Sequence, residues 1–412
     1  MKIAVVGSGI SGLSAAYYLS KKHHVDLFEK DDHFGGHSHT IDLLIEQKKI
    51  SVDIGFIVFN QKTYPNLINF FKENDIEIEK SDMSFSVSVK NSKFEYCGRG
   101  LRGVFANKSN LFNLSFIKMF IDILKFYKKC DQISEFEENT TLGEYIEINK
   151  LSKFFIDYHL IPMVSAIWSM PPFEAKKMPL KFFLKFFQNH GLFKLKNRPQ
   201  WYTVTNRSKT YVNKVLSRLS GEFFKNYPVN KIIRNNNGID LYYGDKSEYF
   251  SYDKVVLACH ADQSLSLIQE PLKEEKEILS NFSYKKNLAI IHTDQNLMPK
   301  NRKVWSSWNS IINNNNLENN SITYWLNLLQ NLKFDRDIFL TLNPNIQINE
   351  KKILQIVNFT HPYFDQRALD NQIKLKNIQN KKNILFCGSY FGYGFHEDGI
   401  KSSIEMLETI ND

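Results

Sequence analysis

The chain opens with an unbroken apolar run, Ile3 to Val6, which reads as a strand buried on both faces of a parallel sheet. Ile10 to Leu19 then mixes small and apolar residues like a tightly packed helix, and Val25 to Glu29 returns to strand character. From about Thr63 to Asn197 the pattern predicts mainly helices rich in aromatic residues, Leu111 to Lys129 and Leu180 to Phe187 being the clearest. Short strands and turns follow at Lys231 to Arg234, Gly238 to Tyr243 and Lys254 to Cys259. Alternating stretches at Leu288 to Thr293 and Phe339 to Leu342 predict a second sheet, with a polar turn from Asn313 to Asn320. The end mirrors the beginning: strand Ile384 to Cys387, a glycine-rich turn and helix Ile400 to Ile410.

The two ends therefore predict one nucleotide-binding domain that the middle of the chain interrupts. A length of 412 residues suits two or three domains. The expected division is a discontinuous cofactor domain of residues 1–62, 199–270 and 350–412, with a substrate or cap domain of 63–198 and 271–349. The four cysteines are scattered without a CxxC pair, which argues against a zinc site or a secreted disulfide scaffold. No run approaches the roughly 18 apolar residues of a membrane span, and glycines follow the first strand where a signal peptide would have its apolar core. The expectation is a cytoplasmic protein, soluble or peripheral at the inner membrane surface. The net charge of +9 comes with many asparagines and isoleucines, as AT-rich coding produces, so it carries no expectation of a nucleic-acid partner.

Candidate chemistry begins at Gly7-Ser8-Gly9-Ile10-Ser11-Gly12, directly after the first strand. Gly7 makes the sharp turn, Gly9 lets backbone approach a pyrophosphate, and Gly12 lets helix pack on strand. Free N–H groups at the helix start face phosphate charge, at Ile10 and Ser11 among others. Glu29 ends the second strand, where a carboxylate accepts hydrogen bonds from an adenosine ribose and repels a 2′-phosphate. A second match, Gly98-Arg99-Gly100-Leu101-Arg102-Gly103, has no hydrophobic strand before it and no acid at the matching distance, so it reads as a loop.

Lys30-Asp31-Asp32-His33-Phe34-Gly35-Gly36-His37 follows Glu29 and resembles the flavin-containing amine oxidase superfamily, which carries paired glycines after such an acid. Val52-Asp53-Ile54-Gly55-Phe56 resembles the segment leading to the isoalloxazine, and Leu385-Phe386-Cys387-Gly388-Ser389 the turn that binds the ribityl, with Ser389 in place of an aspartate. The resemblance is sharpest to the bacterial subgroup of predicted NAD/FAD-binding amine oxidoreductases. It extends through Ala166-Ile167-Trp168-Ser169, Asn189-His190-Gly191, His361-Pro362-Tyr363-Phe364-Asp365 and Gly394-Phe395-His396-Glu397-Asp398-Gly399. Asn206-Arg207-Ser208 departs from that pattern, which has Gly-Gly-Ser. The implied fold is α/β: a Rossmann-like FAD-binding domain of the glutathione-reductase type, amine oxidase branch, with an inserted α+β substrate domain. The implied cofactor is FAD, held by Gly7, Gly9, Ile10, Ser11, Gly12, Glu29, Lys30, Gly35, Gly36, His37, Gly55, Phe56, Gly388, Ser389, Phe395, His396 and Ile400. Val229, in Tyr227-Pro228-Val229, is either the adenine contact or an ordinary edge-strand valine.

A bound flavin takes hydride from a substrate C–H, so the protein's task is to position that carbon and exclude water. Candidate catalytic residues are Phe395 and Tyr363 as flanking rings and His396, Glu397 and His361 as polar groups; each has a structural role as its alternative. Many superfamily oxidases carry a lysine in the strand matching Asn287 to Thr293; Lys285 and Lys286 stand just before that stretch, which argues against ordinary amine oxidation. Phe182, Phe183, Phe186 and Phe187 either face the core or, with Lys181 and Lys185, lie on anionic lipid. Trp168, Trp201, Trp308 and Trp325 either line a hydrophobic pocket or pack one. The leading expectation is an FAD-dependent oxidoreductase acting on a hydrophobic small molecule or lipid. The alternatives are a flavin-dependent isomerase without net oxidation and a noncatalytic FAD-binding partner; no metal is expected.

Overall fold

A computed structural model describes residues 1–130, 140–194, 197–244, 248–313 and 316–410. Its first sheet holds five parallel strands in the order Phe223–Lys225, His24–Glu29, Lys2–Val6, Lys254–Leu257, Ile384–Phe386. The central strands are buried on both faces, which is why they read as continuous apolar runs. On one face, helix Ile10–Leu19 packs beside the closing helix His396–Leu407. Small residues let the two come close, and Ser14 Oγ and Ser403 Oγ share a 2.6 Å hydrogen bond. The other face is covered by an antiparallel meander of Val229–Asn235, Gly238–Tyr243 and Tyr249–Tyr252, where Phe28 stacks on Phe224 and tilts against Phe250.

The second sheet has seven strands, in the order Ile353–Tyr363, Ser283–His292, Phe339–Leu342, Asn316–Trp325, Trp308–Asn313, Phe85–Lys90, Glu95–Cys97. Every neighbouring pair is antiparallel except Trp308–Asn313 with Phe85–Lys90. Strand Ile353–Tyr363 thus lies in the second sheet, although the sequence division at 350 put it with the cofactor domain. Helices Leu114–Lys129, Leu142–Ile148, Ile161–Trp168 and Leu180–Asn189 form an aromatic layer against this half. The four phenylalanines of Leu180–Asn189 are all buried, so that helix faces the core and not lipid.

Three expectations need correction. The mainly helical stretch from Thr63 contains strands Ile78–Ser81, Phe85–Lys90 and Glu95–Cys97; the alternation Phe85-Ser86-Val87-Ser88-Val89 is their period-two signal. The second glycine match is a short helix, Gly100–Val104, and a strand does precede it, but that strand sits at the edge of the second sheet. The closing helix begins at His396, four residues before its apolar periodicity does, because its first turn is polar. The Asn313 to Asn320 turn joins Trp308–Asn313 to Asn316–Trp325, and its residues 314 and 315 lie outside the described residues, as do 131–139, 195 and 196 of the predicted helical stretch.

Candidate functional site

One cavity of about 1390 Å³ runs from the first glycine turn to the aromatic layer. That volume exceeds the roughly 300–1,000 Å³ of an ordinary small-ligand pocket, leaving room for a large cofactor and a second molecule.

Main chain builds the first end. Gly7, Gly9, Ile10 and Ser11 line it, and helix Ile10–Leu19 has no side-chain cap, so its first N–H groups stay available to an anion. A Cβ on Gly12 would strike the Gly7 carbonyl oxygen, whereas a Cβ on Gly9 would meet nothing within 4 Å. The paired glycines approach this turn from the opposite side: a Cβ on Gly36 would lie 3.1 Å from Gly9 Cα. Glu29 is buried at the rim and accepts hydrogen bonds from Ser8 N at 3.0 Å, Ser8 Oγ at 2.5 Å and Asp31 N at 3.1 Å. A carboxylate offers about four acceptor positions, so one remains for a ligand hydroxyl. Lys30, Tyr227 and Val229 continue this wall, and Gly388 and Ser389 close it from the last strand.

Midway lies a group of neutral histidines. Burial lowers His37 to about 4 and His260 and His361 to about 3; His33 adds to the first shift, and His37 to the other two. Burial, seconded by His37, likewise holds His396 well below the ordinary histidine value. His396 stacks on Phe56 with centroids 3.7 Å apart, and its Nε2 is 2.9 Å from Ser38 Oγ. His361 Nδ1 pairs with Asn287 Nδ2 at 2.8 Å. These residues form no metal-ligating cluster among the described residues.

Side chains build the far end: Phe186, His190, Trp168, Trp201, Trp308 and Tyr324. Phe395 stacks on Phe186 at 4.9 Å, and His190 stacks on the same ring at 3.9 Å. His190 Nδ1 lies 2.9 Å from the Phe186 carbonyl oxygen and therefore carries the proton. Burial lowers its pKa to about 4, so at neutral pH Nε2 is an acceptor. His37 Nε2, Trp168 Nε1, Trp308 Nε1 and Tyr390 OH, all on lining residues, are buried with no hydrogen-bond partner among the described residues. Such orphaned polar atoms on a cavity wall await a ligand or water.

Residues 5–73 match the NAD(P)-binding Rossmann-like domain family. No curated protein sequence matches the chain. Solved structures match it end to end. A CLA-producing fatty acid isomerase from P. acnes superposes with TM-score 0.69 at 12% identity, covering 100% of this chain and 98% of the other. Putrescine oxidase bound to putrescine gives 0.68 at 13% identity, with 99% of each chain covered. Cyclohexylamine oxidase from Brevibacterium oxydans IH-35A gives 0.65 at 12%, covering 99% and 98%. The fold is the one that these oxidases and the isomerase share.

Within this fold the sequence-derived residues separate into two groups. Gly7, Gly9, Ile10, Ser11, Glu29, Lys30, Gly36, His37, Gly55, Phe56, Val229, His361, Gly388, Ser389, Phe395 and His396 line the cavity. Gly12, Gly35, Tyr363, Glu397 and Ile400 do not. Gly12 sits behind the turn, Gly35 N donates to Ser8 Oγ at 3.0 Å, and Ile400 is fully buried in the closing helix. Glu397 caps another helix, Pro65–Glu73, accepting from Asn66 N and Leu67 N at 3.0 Å each. Tyr363 ends its strand beyond the cavity edge with the Lys285 ammonium 4.1 Å over its ring, so it forms no aromatic pair with Phe395.

Sequence reasoning missed His190 as a chemical group, and it placed Lys286 outside the site. The strand begins at Ser283, so both lysines belong to it; Lys285 pairs with Glu174, while Lys286 reaches the cavity. Asn206 and Arg207 adopt φ of 60° and 81°, the glycine-favouring region, so the loop keeps the turn that two glycines would make. Arg207 Nε donates to Ser51 O at 2.8 Å and Ser208 N to Asp53, which holds it there.

Proposed function

We propose that this chain is an FAD-dependent oxidoreductase that removes hydride from a C–H bond of a hydrophobic substrate. The observation that carries the reading is the single cavity joining a main-chain cradle for a dinucleotide to an aromatic chamber. FAD suits the residues present: glycines that leave space for phosphates, a free helix end, a spare acceptor on Glu29 and unpaired polar atoms on the wall. Gly7, Gly9, Ile10, Ser11, Gly36 and Glu29 would hold its adenosine and phosphates, and Gly55, Phe56, Gly388, Ser389 and His396 the remainder. Bound flavin supplies a two-electron acceptor.

The chain's own residues orient and protect. Phe186, Phe395, Trp168 and Trp201 exclude water and present flat apolar faces to a substrate. His190 Nε2 accepts a hydrogen bond, or a proton from a substrate N–H or O–H. Lys286, a cation at the cavity rim, leaves amines as one substrate class beside lipids.

Natively purified protein should show flavin absorbance and bleach anaerobically with one of a set of amines, acyl lipids and carotenoids, and not rapidly with NADH or NADPH. Protein that neither carries nor takes up FAD ends the proposal. The shared fold of a fatty acid isomerase favours a second reading, isomerisation without net oxidation. Product mass separates the two: loss of two hydrogens for oxidation, no change for isomerisation.

A further inference from the structure

Among the described residues, seven of the fifteen well-exposed large apolar side chains fall between Leu101 and Leu124. Helix Leu114–Lys129 explains the concentration, because it is apolar on two faces. Phe116, Met119, Ile123, Phe126 and Tyr127 face the core. Leu114, Ile117, Ile121 and Leu124 recur at intervals of three, four and three, which puts them in one row on the outer side. The turn before the helix adds Phe112, 87% exposed, beside Leu114, 81% exposed. An outward row of this size, over a helix about 24 Å long, is more than scattered surface leucines.

Charge identifies the occupant. Between Arg99 and Lys129 the chain has seven cations and one acid, Asp122, while the whole chain carries a net +9. Arg102, Lys108, Lys118, Lys125 and Lys128 are exposed and make no ion pair among the described residues. Lys118 and Lys125 follow Ile117 and Leu124 directly, so they flank the apolar row. A self-complementary dimer through this face would set lysine against lysine. An anionic lipid surface instead takes the apolar row into its acyl boundary and the lysines among its headgroups.

We propose that Leu101, Leu111, Phe112 and the outer row of helix Leu114–Lys129 dock the protein on an anionic membrane surface. The proposal does not depend on the flavin reading. It also concerns a different surface from helix Leu180–Asn189, whose phenylalanines are buried.

The test is co-sedimentation of the full chain with vesicles of phosphatidylcholine alone and of equimolar phosphatidylcholine and phosphatidylglycerol. Binding should appear with the anionic vesicles, weaken with salt, and be nearly absent with the neutral ones. Phe112→Ser with Leu114→Ser should cut partitioning at least about tenfold. Lys118→Glu with Lys125→Glu should cut it by about tenfold or more. Ile373→Ser, 74% exposed at the end of helix Gln366–Gln372, should leave it unchanged. All these side chains face solvent, and circular dichroism confirms that each variant is folded. Binding to neither vesicle, or the same loss with Ile373→Ser, overturns the proposal. So does self-association that the Phe112/Leu114 pair abolishes in protein that ignores vesicles.

Discussion

The two ends of the cavity are made of different material. The glycine end is main chain, drawn from segments that begin and finish the parallel sheet, and its shape follows from where a Cβ is missing. The aromatic end is side chain, from helices Ile161–Trp168 and Leu180–Asn189, strand Trp201–Val204 and the second sheet. Backbone geometry recurs wherever the turn recurs, whereas a side-chain wall is rewritten by each substitution. The first end is therefore common to a fold, and the second is where substrates are distinguished.

Acid should have the largest effect. His190 is buried and His37, His260 and His361 are half-buried on the cavity wall, all held near 3 to 4, below the ordinary value of 6.5. The unfolded chain then binds more protons than the folded one, so stability present above pH 6.5 is lost as pH falls toward 4. Each histidine contributes a slope of about 1.4 kcal/mol per pH unit. Thermal midpoints measured from pH 7.5 to 4.5 should fall steeply below pH 6.5; a flat profile would show that these rings are hydrated and the chamber is open to water.

The two fingerprint glycines sharpen the contrast next. Gly12→Ala drives a methyl into the Gly7 carbonyl and should cost about 3 kcal/mol or more, seen as a lower urea midpoint. Gly9→Ala has open space around it and should leave that midpoint unchanged. It should nonetheless weaken FAD binding by at least about tenfold, because the methyl occupies the space a pyrophosphate needs. Equal effects of both substitutions on stability would break the assignment. The smallest effect belongs to Glu29→Gln, which keeps the shape and loses the charge-assisted contact; about 1 kcal/mol, or fivefold in FAD affinity by titration, is expected.

How far the site could be read from sequence follows the same divide. The glycine turn, Glu29 and the paired glycines were legible because a backbone contact leaves a spacing that survives any change in neighbours. Helix Ile10–Leu19 was bounded correctly for the same reason. His190 left no such trace, since only the folding of Leu180–Asn189 against Phe395 gives it a role. Lys286 was misplaced because its strand continues through the polar stretch Ser283 to Asn287, where pairing with Phe359 to Tyr363 supplies what hydrophobicity does not. Tyr363 and Glu397 sat in the right motifs and turned elsewhere, to a lysine and to a helix start.

The order of strands in the parallel sheet has a consequence for synthesis. Lys2–Val6 leaves the ribosome well before its neighbour Lys254–Leu257, which comes from beyond the aromatic insert, and Ile384–Phe386 follows later still. The glycine turn is thus made early and must wait, with its opposite wall unbuilt, until strand Ile384–Phe386 has been translated. Loading of the nucleotide is in this sense the closing event of assembly, and a chain stalled before its last strand would have the lock without the door.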